Sequence, residues 1–297
     1  MNRTTWRLAT AAIAGLMLAG AARAETILFV GNSFTFGALS PVWRYRAPSV
    51  TDLNGEGIGG VPALFKLFAA EAGLNYEVSL VTHPGVGLDW HIANTLPKID
   101  RAWDHVVLQG YSTLDQNQPG DPGVLVDSVH QLARTLRARN PAVDIRLTAT
   151  WSRADLTYKG PSPWLGKPIA AMGDDVSCGY RLAARTTPEV RGVVEVGQAF
   201  NRAIRTGVAD GDPYDGIDYG KVSLWTWDQY HASAHGYYLE ALMLFGALTG
   251  KDPVSLGPQE LAARELGFSP RETVALQTVA HDQLAADAVP DGRCAQP

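Results

Sequence analysis

Thr26-Ile27-Leu28-Phe29-Val30-Gly31-Asn32-Ser33-Phe34-Thr35 is the stretch on which the reading of this chain turns. Its first five residues form a short, continuous, largely apolar run, the pattern of a strand buried on both faces of a parallel sheet. Gly31 breaks the run and opens a sharp turn. Ser33 is thereby left at the carboxyl end of a buried strand. A serine in such a turn is an ordinary capping or turn residue unless a base stands within hydrogen-bond reach, because a free hydroxyl is a poor nucleophile.

The same grammar continues outward. Residues 76–81, 105–108, 145–149 and 193–196 read as further strands, and polar loops follow the second and third. Residues 61–72, 124–136, 199–206, 234–248 and 272–286 carry apolar residues at helical spacing, and a short helix can start at Leu88. Strands alternating with helices predict a three-layer α/β/α domain with a mainly parallel sheet. The loops after the first three strands then converge on one sheet edge, where such folds bind ligands. The stretch 151–175, rich in Trp, Pro and Gly, is long for a connection and reads as a lid or substrate wall.

The chain of 297 residues is 46% hydrophobic and 19% charged, which supports a sizeable core and argues against disorder. A net charge of -5 without a Lys/Arg run argues against a nucleic-acid partner and against attraction to an anionic membrane. Arg3 and Arg7 precede an apolar stretch, and Ala22-Arg23-Ala24 offers a small-x-small cleavage site. These features predict a signal peptide over 1–24, one mature domain over 25–297, and export to the periplasm or the medium. The apolar stretch is short for a span of ~20 residues, so no stable membrane insertion is expected after cleavage. Cys178 and Cys294 could pair in an oxidising compartment, but sequence alone does not bring them together. Their spacing is not that of metal ligands.

A second motif gives Ser33 its base. Asp228-Gln229-Tyr230-His231 stands just before the amphipathic segment 234–248. An Asp three residues before a His in a loop can hold one imidazole nitrogen and leave the other free to take a proton. Without Ser33, the same four residues would read as a helix-entry cluster capped by Ser233 or Asp228.

Together, Gly31-Asn32-Ser33-Phe34-Thr35 and Asp228-Gln229-Tyr230-His231 resemble the first and last blocks of the SGNH hydrolases, also called GDSL-like esterases. His83-Pro84-Gly85-Val86-Gly87-Leu88 matches the family's second block, in which a glycine follows the second strand; Gly85 is favoured and Gly87 stays open. The third block departs. The family's Gly-x-Asn-Asp is replaced by Leu108-Gln109-Gly110-Tyr111-Ser112, with Gln109 the candidate substitute. The resemblance covers residues 26 to about 250. It implies a flavodoxin-like α/β/α sandwich and a serine esterase. In that reading Ser33 is the nucleophile, His231 the base and Asp228 its partner. The oxyanion hole is formed by the Ser33 and Gly85 N–H groups and the Gln109 amide. The substrate expected is a small-molecule or polysaccharide ester, with no cofactor. The alternative readings are an O-acyltransferase of the same fold and a non-catalytic carbohydrate-binding protein.

Weaker signals complete the reading. Gly55-Glu56-Gly57-Ile58-Gly59-Gly60 fits Gly-x-Gly-x-x-Gly, but a dinucleotide site needs a strand directly before it, and residues 51–54 do not read as one. His231 and His235 have the spacing of two metal ligands, but no third ligand cluster accompanies them, and no metal is expected. His83, His91 and His105 read as structural or wall residues near the site. Trp151, Trp164, Trp225 and Trp227 flank polar loops and could stack on sugar rings, or could simply pack.

Overall fold

The computed structural model describes residues 23–287 and residue 294. The elements run β1 (Glu25–Gly31), β2 (Thr51–Asp52), α1 (Gly60–Glu71), β3 (Tyr76–Thr82), α2 (Leu88–Asn94), α3 (Leu96–Ile99), β4 (His105–Leu108), α4 (Gly123–Arg139), β5 (Asp144–Ala149) and α5 (Ala154–Tyr158). They continue with α6 (Ala170–Thr186), β6 (Val190–Glu195), α7 (Val196–Arg205), α8 (Ala234–Thr249), α9 (Leu261–Glu265) and α10 (Pro270–Asp287). The six strands form one sheet in the order β2-β3-β1-β4-β5-β6, and every pairing is parallel. This is the three-layer α/β/α arrangement that the strand–helix alternation predicts.

Period-two alternation along β1 distributes its side chains between two cores. Ile27 and Phe29 face one layer with Phe65 and Phe68 of α1, Phe200 of α7, Phe245 of α8 and Leu276 of α10. Leu28 and Val30 face the other, with Leu88 of α2, Val129 and Leu132 of α4, and Val176 and Tyr180 of α6. Each fully buried side chain of this size contributes roughly 1.5–3 kcal/mol. Helix α8 is buried from Gly236 to Phe245, packs against α1 and α10, and ends at Gly250 in the left-handed conformation at φ 68°.

Several sequence expectations shift. The strand expected at 193–196 is β6, Val190–Glu195, and Val196 already begins α7. Residues 51–52 do form a strand, paired to β3. The long helix α6 went unread because Gly173, Ser177 and Gly179 interrupt its propensity. Its glycines serve packing: a Cβ on Gly179 would lie 2.5 Å from Leu114 Cδ1. The stretch 151–175 is no open lid. It contains α5 and the start of α6, and Trp151 and Trp164 are fully buried in it.

Cys178 on α6 and Cys294 form a disulfide across 116 residues. The expected signal peptide lies outside the described residues except for its last two. Among the described residues, no helix is long and apolar enough to cross a membrane.

Candidate active site

The carboxyl ends of β1, β3 and β4 carry the loops that hold Ser33, Gly85 and Gln109, so three of the candidate residues meet on one sheet edge. At the tip of β1 only glycine fits. A Cβ on Gly31 would lie 2.1 Å from Thr35 Oγ1 and 2.7 Å from Gln109 Oε1. The turn that follows is closed by Phe36 N–H to Asn32 O (3.1 Å) and Ala38 N–H to Ser33 O (3.0 Å). Ser33 is 5% exposed, and its backbone N–H has no acceptor among the described residues. Tyr237 of α8 donates its hydroxyl to Ser33 O at 3.2 Å, tying the turn to the helix behind it.

Asn32 and Gln109 lock this turn to its neighbours. Asn32 Nδ2 donates to Val86 O (2.8 Å) and Gly110 O (3.1 Å), drawing the loops after β3 and β4 against the Ser33 turn. Gln109 is 1% exposed, and its Oε1 accepts from Asn32 N–H (2.9 Å) and Thr35 Oγ1 (3.0 Å), while Nε2 donates to Gly110 O. The Asn32 N–H can only donate, so it fixes which end of the amide faces the turn. Oε1 is thereby committed to holding the turn and one N–H of Nε2 to Gly110 O, while the second N–H of Nε2 has no acceptor among the described residues.

Gly85 sits at φ 70° with open space where a Cβ would stand, and its N–H has no acceptor among the described residues. Gly87 is extended at φ -99°, is buried, and leads into α2. Both line a cavity of about 190 Å³ shared with Trp90, Gly110, Tyr111 and Asp115. The cavity borders Val86 and Gly110, the two carbonyl residues that Asn32 holds.

Asp228 and His231 stand in a tight loop closed by Thr226 N–H to His231 O (2.8 Å) and by a bridge between Trp225 and Ala232. Gln229 takes the left-handed conformation at φ 57°, an uncommon state for a non-glycine that surrounding bonds must hold. Asp228 Oδ2 accepts from His231 Nδ1 at 2.6 Å. Its Oδ1 accepts from Thr226 Oγ1 (2.7 Å), Tyr230 N–H (3.1 Å) and His231 N–H (3.0 Å). Burial alone would raise the Asp228 carboxyl, but these bonds outweigh it and hold it below the ordinary carboxylate range. An ionised carboxylate only accepts, so Nδ1 is the donor in this bond and Nε2 is the nitrogen that Asp228 leaves unheld. The rings of Phe34 and His231 lie 5.8 Å apart, which puts the imidazole beside the residue that follows Ser33.

The remaining candidates have structural places. His91 is fully buried, with Nε2 2.8 Å from Gly31 O and Nδ1 2.9 Å from Thr95 Oγ1. Burial pushes its pKa down to about 4 despite the bond to Gly31, so the neutral ring ties α2 to the tip of β1. His83 stacks on Trp90 at 4.2 Å. His105 opens β4 and contacts Glu25 at 2.8 Å, at the sheet edge opposite the site, so it is not a wall residue. His235 stacks on Phe268 at 4.1 Å, away from any ligand set with His231. Among the described residues, no three His, Cys, Asp or Glu side chains are grouped to hold a metal. In the glycine-rich loop before α1, Asp52 already accepts the N–H groups of Asn54, Glu56 and Ile58, the place a phosphate would need. Of the four tryptophans, Trp151, Trp164 and Trp225 are core; Trp227 is 77% exposed.

Sequence reasoning missed Arg153 and Tyr230. The Arg153 guanidinium carbon lies 3.5 Å from the Tyr230 ring centroid, and that ring lies 4.1 Å from the His231 ring. The Tyr next to His231 was the available signal.

No protein-family model and no curated protein matches this chain. Solved structures do. A DUF4886 family protein from Bacteroides uniformis matches with a TM-score of 0.54 at 18% identity, over 91% of this chain and 98% of that one. A candidate GDSL-like lipase from Parabacteroides merdae matches with a TM-score of 0.53 at 17% identity, over 76% of this chain and 95% of that one. At such identities the likeness is one of fold.

Proposed function

On the premise of this fold, shared with a GDSL-type structure, we propose that the chain is an exported serine esterase that hydrolyses short-chain carboxylic esters through Ser33, His231 and Asp228. The observation that carries the reading is the Asp228–His231 bond of 2.6 Å, in a loop whose imidazole borders the Ser33 turn. His231 Nε2 takes the Ser33 proton as Oγ attacks the ester carbonyl, and Asp228 steadies the imidazolium that forms. The Ser33 and Gly85 N–H groups receive the negative charge on the carbonyl oxygen. His231 then passes its proton to the departing alcohol. Water repeats the sequence on the acyl-enzyme and frees the acid.

The cavity beside Gly85 is small, at about 190 Å³, with Asp89, Asp115 and Asn117 among its lining. Its lining includes Gly85 but neither Ser33 nor His231; an acyl group extending past Gly85 would meet this polar wall, which supports a short chain over a long lipid chain. Trp227, exposed and adjacent to Asp228, offers a face for a sugar ring, which favours acetylated carbohydrate as the substrate. The Cys178–Cys294 disulfide is in keeping with an oxidising compartment such as the periplasm or the medium. The test is a ladder of chromogenic esters from acetyl to long acyl. Turnover greatest on acetyl and lost in Ser33→Ala supports the reading. A folded protein inert on every ester, or a Ser33→Ala variant with a tenth of the activity, removes it.

A further inference from the structure

We infer that Arg153 is a positioning residue for the imidazole of His231, acting through the ring of Tyr230. This rests on the reading of His231 as the base, and the experiment below separates the two. The hydrogen bond that His231 Nδ1 donates to Asp228 fixes one imidazole nitrogen but leaves the ring free to tilt about that bond. Tyr230 supplies the missing constraint. Its ring lies 4.1 Å from the imidazole at an interplanar angle of 31°. The Arg153 guanidinium lies 3.5 Å from the centroid of the same ring. Two planar groups this near one centroid cannot share a face, so Tyr230 stands between the cation and the imidazole.

Arg153 is itself held. Its Nε and Nη2 donate to the two oxygens of Asp155 at 3.1 and 2.7 Å. The two side chains are 14% and 27% exposed, so the cation meets the ring largely out of water, where such contacts are strongest. The segment carrying them is bonded to the backbone on both sides of the contact. Asp155 N–H donates to Gln229 O (3.1 Å), and Trp151 Nε1 donates to Tyr230 O (3.2 Å). Trp151 also stacks on Phe34 at 4.2 Å, so the same short segment touches the Ser33 turn and the His231 loop.

Stability alone gives this arrangement little purpose. Removing a cation from water is costly, and a partner two residues away on the same segment joins no separate elements. A planar cation that pins the face of Tyr230 does explain it. Arg is suited to that work where Lys is not, because its guanidinium stacks flat.

The experiment compares wild type with Arg153→Met and Arg153→Lys in two readouts. In steady-state ester hydrolysis, Arg153→Met is expected to lower kcat about 10-fold with KM within about twofold, because a displaced base impairs the reacting geometry without removing a substrate contact. Arg153→Lys should recover part of the loss. The second readout needs no activity. The Tyr230 ring current displaces the imidazole C–H signals of His231 in the proton NMR spectrum, signals identified by their loss in His231→Ala. In Arg153→Met they should move towards the values of a free histidine, with Arg153→Lys in between. Arg153→Gln replaces Arg153→Met if the latter does not fold. A wild type without turnover whose signals still move with Arg153 would count against the esterase reading and for this inference. Unmoved signals in a folded variant, or a rise in KM at constant kcat, would overturn it.

Discussion

The Asp228 carboxylate grips His231 twice: Oδ2 accepts the imidazole Nδ1–H at 2.6 Å, and Oδ1 accepts the backbone N–H of the same residue at 3.0 Å. One side chain thereby sets both the path of the loop and the tautomer of the ring. In Asp228→Asn, Oδ1 can still accept from Thr226, Tyr230 and His231, so the fold should persist. The amide nitrogen facing Nδ1 would donate instead of accept, moving the ring proton to Nε2. Turnover should fall on the order of 10³–10⁴-fold with little change in Tm. Steady-state kinetics beside a melting curve decides it, and a variant within tenfold of wild type would reject the assignment.

Gln109 separates a structural from a catalytic role. Gln109→Ala leaves the Asn32 N–H and Thr35 hydroxyl without their buried acceptor. The expected loss is about 2–4 kcal/mol of stability, read by urea unfolding, from two unsatisfied groups and a small cavity. Unchanged stability with a turnover loss near 100-fold would instead assign Gln109 the role of oxyanion donor.

How much of this was legible in the sequence varies with the kind of signal. The buried run 26–30, the turn at Gly31 and the Asp228–His231 spacing all report local geometry, and each lies where the pattern put it. Helix α6 was hidden because Gly173 and Gly179 are demanded by close packing against other segments, and local propensity knows nothing of those neighbours. Gln109 matches the family block by position, but the bonds from Asn32 and Thr35 to its Oε1, 77 and 74 residues away, could not be read from it. The four tryptophans that flank polar loops stayed open between stacking and packing for the same reason: three of them fill the core in space and only Trp227 is exposed. Arg153 offered no pattern, since its stack on Tyr230 joins residues far apart in the chain.

Glu240 makes part of the stability depend on pH. It lies on α8 at 1% exposure, and its Oε2 has no hydrogen-bond partner among the described residues. Burial raises its carboxyl well above the ordinary value of 4.5. The folded chain therefore keeps a proton that the unfolded chain releases as pH rises past 4.5. The stability linked to this group is complete below that value and is lost as pH climbs towards the folded-state pKa. Glu240→Gln keeps the shape and removes the titration. The Tm of the variant minus that of wild type should grow from pH 5 to pH 8.5 in parallel scans. A difference constant with pH would contradict the burial of an ionisable group there.

The Cys178–Cys294 bond closes a long loop between α6 and residue 294. On the chain-entropy account a loop of this length contributes about 4–5 kcal/mol by restricting the unfolded state. Cys178→Ser should lower the unfolding free energy by up to that amount in oxidising buffer, and reductant should bring wild type down to the variant. Equal stability with and without reductant would show that the bond contributes nothing.

The central claim is that Ser33 is activated by His231. It is tested most directly by labelling the folded protein with a fluorophosphonate and locating the adduct by peptide mass spectrometry. The account predicts one adduct, on Ser33, absent in Ser33→Ala and slowed at least 100-fold in His231→Ala. No adduct, an adduct on another residue, or labelling of Ser33 at the same rate without His231 would contradict it.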